Sequence, residues 1–72
     1  MRYAAMNKWI KAEALYERQI VLGIRKGTKY YYSPGMMVQK KKENGVYIRH
    51  AFGEVEFVPN GIGMFLVEIK GE

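Results

Sequence analysis

The chain has no cysteine and no aspartate, and a single histidine, serine and threonine: His50, Ser33 and Thr28. Without cysteine it can form no disulfide, and one histidine cannot build a zinc cluster of nitrogen and sulfur ligands. The lack of cysteine also fits a reducing compartment, so a cytoplasmic location is expected. No apolar run exceeds four residues, too short for a membrane-spanning helix. Lys8, Lys11 and Glu13 break up the N-terminal region and no small-residue cleavage site follows, so no signal peptide is predicted.

The same scarcity argues against catalysis. A hydroxyl nucleophile needs a base and an orienting group in contact, and Ser33 sits in a turn just before Pro34. The best remaining set is His50, Glu54 and Glu56. On one unbroken strand these residues share a face at about 6.5–7 Å spacing, within reach of a metal or of acid–base work. A bulge at Gly53 would turn His50 away. The simpler expectation is that Glu54 and Glu56 point outward while Val55 and Phe57 pack inward. Gly61-Ile62-Gly63 lacks the third glycine of a phosphate-binding loop and the helix that follows one. No enzyme, no metal and no cofactor is expected.

What the chain does have is apolar bulk and positive charge. Its 72 residues make one domain, and a chain of this size buries only about 60% of its unfolded surface. Packing must supply the stability, and 49% of the residues are apolar, among them Trp9, six tyrosines, three phenylalanines and five methionines. Self-association is the other remedy open to a small chain, so a homo-oligomer is also consistent with this composition. The net charge is +5, unevenly placed. Residues 23–49 hold seven basic residues against one acidic, whereas residues 50–72 hold four acidic against one basic. A polyanion or an acidic protein surface suits such a chain.

Residues 3–18 read as a helix. Ala4, Ala5, Ala12, Ala14 and Leu15 are strong helix formers, and Ala5, Trp9, Ala12 and Tyr16 fall on one narrow arc at 100° per residue. Ile10 sits off that arc. From Gln19 the texture changes to short β-prone runs separated by glycine. Ser33-Pro34-Gly35-Met36 suits a type II turn, Asn44-Gly45 a tight hairpin, Gly53 a bulge or bend, and Pro59-Asn60-Gly61 a further turn. The predicted fold is α+β: an N-terminal helix within residues 1–18, packed on a strongly bent antiparallel meander of about five strands in 19–72. In size this is SH3-like or small-barrel-like, and the comparison carries no functional residues.

Two binding functions follow, from different classes. The first is nucleic-acid binding, DNA or RNA, with Arg25, Lys26, Lys29, Lys40, Lys41, Lys42 and Arg49 tracking phosphates and tyrosines as stacking platforms. Tyr31 and Tyr47 are the platform candidates carried forward. Alternation puts Tyr30 and Tyr32 on one face of their strand and Tyr31 on the other. If one face is buried, only part of the triplet is free. By the same rule Lys40 and Lys42 share a face with Met36 and Val38, and Lys41 with Met37 and Gln39. The second function is a protein-binding adaptor or inhibitor, of the kind small accessory and viral proteins provide. It would act through an apolar patch of Met36 and Met37 with the tyrosines opposite, rimmed by charge. A small subunit of a larger assembly is a related option. Nucleic-acid binding is the expectation taken forward.

Overall fold

The N-terminal segment departs from the sequence pattern. A computed structural model describes residues 5–70 and the side chains of 6–69. Where a helix is predicted it has strand β1 (Ala5–Lys11) followed by one 3-10 turn, Ala12–Ala14; positions 3 and 4 of the predicted helix lie outside the described residues. The fold of the described residues is therefore all-β, an antiparallel six-stranded sheet, not a helix packed on a meander.

The reason is a contest between weak and strong terms. Alanine's helix preference amounts to a few tenths of a kcal/mol per residue, and an isolated helix of this length is marginal in water. Pairing β1 with β6 runs from Ala5↔Lys70 to Lys11↔Met64 and gives the segment a full backbone partner. Period two also repairs the misfit of Ile10. It packs on the core opposite Phe65, while Trp9 turns to the other face opposite Leu66. Ala12 and Leu15 are then buried behind it.

The remaining strands are β2 (Ile20–Lys26), β3 (Lys29–Lys42), β4 (Gly45–Arg49), β5 (Val55–Pro59) and β6 (Gly63–Lys70). Their order is β1-β6-β2-β3-β4-β5. Strands β2 to β5 form consecutive hairpins, and the chain then returns to place β6 between β1 and β2.

β3 is one long strand where two were predicted. Gly23 pairs with Tyr32 and Val21 with Met36, so Leu22 alone opposes Ser33-Pro34-Gly35. The expected turn is a bulge that bends the strand without reversing it. Proline, lacking an N–H, is tolerated where the ladder is interrupted, and Gly35 takes φ 86°. A second bulge falls between Val38 and Lys40 and flips the strand's parity. Lys41 therefore pairs with Val46 on the core side, and Lys40 and Lys42 lie on the outer side with Met37, the reverse of the expected grouping.

The β3–β4 hairpin is present, but Glu43-Asn44 forms its turn and Gly45 begins β4. Gly45 is needed for close approach: an added Cβ would lie 2.5 Å from the Val58 carbonyl oxygen and 2.6 Å from Phe57 Cζ. β4 ends at Arg49, four residues before the bend expected at Gly53. The His50 N–H donates to the Glu54 carbonyl at 2.7 Å and the Gly53 N–H to the His50 carbonyl at 2.9 Å, closing a loop. That loop sets β5 in the register Ile48↔Glu56 and Val46↔Val58. Glu56 and Val58 thus face inward and Val55 and Phe57 outward, inverting the expectation for this strand.

Among the described residues eleven side chains form the core, from Ala12 and Leu15 through Val21, Ile24 and Met36 to Phe65 and Val67, each no more than 1% exposed. Among the described residues there is one sheet and no second layer, and the sheet buries these side chains by curling so that its concave face encloses them. β1 and β5 remain its edges. Residues 12–15 cover one opening of the curl, and Lys41 fastens them. Its ammonium donates to the carbonyls of Glu13 (2.7 Å) and Leu15 (2.8 Å), and its backbone N–H to Glu17 Oε2 (3.1 Å). Among the described residues no helix is long and apolar enough to cross a membrane.

Candidate nucleic-acid interface

The convex face of the sheet carries a cluster that follows directly from the register. One cross-strand row reads Lys11, Met64, Arg25, Tyr30, and the next reads Trp9, Leu66, Gly23, Tyr32. Four strands thus contribute two adjacent rows of side chains to one face. Tyr30 and Tyr32 are 50% and 64% exposed, and Trp9 is half-buried beside them.

The three rings touch. Trp9 meets Tyr30 edge-on at 5.6 Å between centroids and Tyr32 at 6.2 Å. The tyrosine rings are parallel within 6°, 6.2 Å apart. Such contacts contribute about 0.5–1.5 kcal/mol each beyond area burial. The Arg25 guanidinium lies 5.8 Å from the Tyr30 ring centre, and its Nε–H donates to the Gly27 carbonyl at 3.1 Å. Gly23 makes the cluster possible. A Cβ there would fall 3.0 Å from Tyr32 Cδ1 and 3.1 Å from the Tyr31 carbonyl oxygen. The missing side chain lets Tyr32 lie over β2 and reach Trp9.

The residues singled out from sequence are distributed over several places. Arg25 joins the aromatic wall. Lys26 and Tyr31 point to the concave side, where Lys26 pairs with Glu56 and its ammonium stands 5.6 Å from the Tyr31 ring centre. Tyr31 does oppose Tyr30 and Tyr32 as alternation requires, yet it is 47% exposed, so none of the three tyrosines is buried. Lys29 is exposed beside the β2–β3 turn, paired across it with Lys26. Met37, Lys40, Tyr47 and Arg49 share a second outer patch, with Met37 opposite Arg49 and Lys40 opposite Tyr47. There Tyr47 packs on Phe57 at 4.9 Å. Lys42 is exposed at the hairpin end, whereas Lys41 is held by the contacts to residues 13–17. Met36 is fully buried and Met37 half-buried, so the two methionines form no exposed patch.

Trp9 is the residue the helical reading placed wrongly, against the core. A period-two reading of residues 5–11 would have found it, because Trp9 and Lys11 then oppose Ile10. The value of Gly23 has no signal in the sequence, since only the packed Tyr32 reveals it. Comparison with protein-family models, with curated proteins and with solved structures gives no match.

Proposed function

We propose that this protein is a non-catalytic basic module that binds single-stranded nucleic acid across its convex face, with Trp9, Tyr30 and Tyr32 stacking on bases and Arg25 and Lys11 meeting phosphates. The observation that carries this reading is the three-ring cluster flanked by Arg25, in which Tyr30 and Tyr32 are exposed and Trp9 half-buried. Large aromatics left in water on an uncovered sheet face are unfavourable for an isolated domain and suit a ligand with planar faces. Each base stacked on such a ring contributes about 1–3 kcal/mol without regard to its identity. Bases in a duplex are hidden from a flat wall, which favours single strands. The +5 net charge adds long-range attraction to a polyanion.

The test uses Trp9, the chain's single tryptophan. Titration with a short oligothymidylate is expected to quench its emission saturably. Raising the salt is expected to weaken binding with a log–log slope of about 0.7 per phosphate contact. Tyr30→Ala with Tyr32→Ala should abolish the response. An emission unchanged at low salt, or equal affinity for the matching duplex, overturns the reading.

A further inference from the structure

The concave side holds an arrangement of opposite sign. Between the β2–β3 and β4–β5 hairpins the curled sheet leaves a cavity of about 620 Å³, with the buried Ile24 and Met36 among its lining and Tyr31 at its wall. Glu56 stands in it as a bridge. One carboxylate oxygen accepts from the Lys26 ammonium, and the other lies 3.1 Å from His50 Nε2. Glu54, exposed, lines the same space. Its two carboxylates, Glu54 and Glu56, face the one ammonium of Lys26 within a chain of +5. Two carboxylates at close quarters disfavour a phosphate there and favour a cation.

Lys26 displays how a cation is held in this place: its ammonium lies between the Glu56 carboxylate and the face of Tyr31, a combination of ion pair and cation–π contact. We infer that the cavity is a docking site for a basic side chain, lysine or arginine, of a partner protein, and that Lys26 occupies it as a built-in placeholder. The incoming cation takes the position between Glu56 and Tyr31, Glu54 supplies a second carboxylate, and Lys26 swings out to water on its flexible stem. Side chains of Lys26 and Glu56 are 35% and 32% exposed. An ion pair that open is weak, so displacing it lowers the partner's affinity only about two- to fivefold. Tyr30 and Tyr32 also border this cavity, but the inference rests on Glu54, Glu56, Lys26 and Tyr31 and not on the three-ring cluster.

The experiment is an NMR titration of the whole chain with the methylamide of acetyl-arginine, with acetate as the anionic control. Saturable shifts of the Tyr31, His50 and Glu56 amides are expected with the arginine derivative and none with acetate. Lys26→Met is expected to tighten binding about two- to fivefold by vacating the site. Glu56→Gln should abolish it, and Glu54→Gln should weaken it while leaving the Lys26 pair in place. The amide spectrum of Glu56→Gln should keep the dispersion of the parent chain, which shows that this variant is folded. No saturable shift in either the parent chain or Lys26→Met overturns the inference. Undiminished binding by Glu56→Gln, or matching shifts with acetate or oligothymidylate, overturns it as well.

Discussion

Tyr31 and its two neighbours are consecutive in the chain, yet they stand in opposite electrostatic surroundings. Tyr30 and Tyr32 project from the convex face beside Arg25 and in line with Lys11 and Trp9. Tyr31 projects into the concave cavity beside Glu54, Glu56 and Lys26. A sheet one layer thick has two faces with separate chemistry, and alternation hands successive residues to each. What reads in sequence as one tyrosine-rich patch is divided between two faces, one beside Arg25 and one beside Glu54, Glu56 and Lys26. The lysine run behaves in the same way: Lys41 holds the segment covering the curl, while Lys40 and Lys42 stay in solvent.

The comparison is tested most severely at Gly23. Gly23→Val pushes a branched side chain into the space of Tyr32 and against the Tyr31 carbonyl. A loss of about 1–3 kcal/mol in stability is expected, read by urea denaturation. The variant that still folds should lose oligothymidylate binding and keep the response to the arginine derivative. Tyr32→Ala acts on the wall and leaves Glu54, Glu56, Lys26 and Tyr31 in place. It is expected to weaken oligothymidylate binding by about 1–3 kcal/mol, measured by Trp9 quenching, with the response to the arginine derivative unaffected. A parallel loss at both sites would mean that the two faces are not independent.

Smaller effects separate the lysines and the arginine. Lys41→Ala should reduce stability by about 0.5–1 kcal/mol, since it removes charge-assisted bonds to two carbonyls at a partly exposed site. Lys40→Ala should leave the denaturation midpoint unchanged. Arg25→Gln should lower the salt slope of oligothymidylate binding by about 0.7 with little change in stability. An unchanged slope would remove Arg25 from the wall.

Several of these features were legible before the structure. The positions of the β3–β4 and β5–β6 turns, the opposition of Tyr31 to Tyr30 and Tyr32, and the concentration of positive charge in residues 23–49 follow from residue types and period two. The inward placement of Glu56 was not legible. It depends on a loop at 50–54 that resets the register; Gly53 marks where the run is broken, but only the pairing of β5 with β4 decides which residues then face inward. The parity of Lys41 was hidden for the same reason, because a bulge is a property of two strands.

By itself the sequence determined the punctuation of this protein, the sign of its middle region, and the lack of disulfides. These depend on composition and on local conformational preference, which travel with the residues. Tertiary structure alone decided that residues 5–11 form a strand, that Ser33-Pro34-Gly35 bends the chain where a reversal was expected, and that Gly23 makes room for an aromatic wall. Each of those outcomes is set by a partner distant in sequence: β6 for the first, β2 for the second, and the Tyr32 ring for the third. A preference of a few tenths of a kcal/mol per residue yields to a complete ladder of backbone hydrogen bonds and to the packing of a partly buried Ile10 on the core.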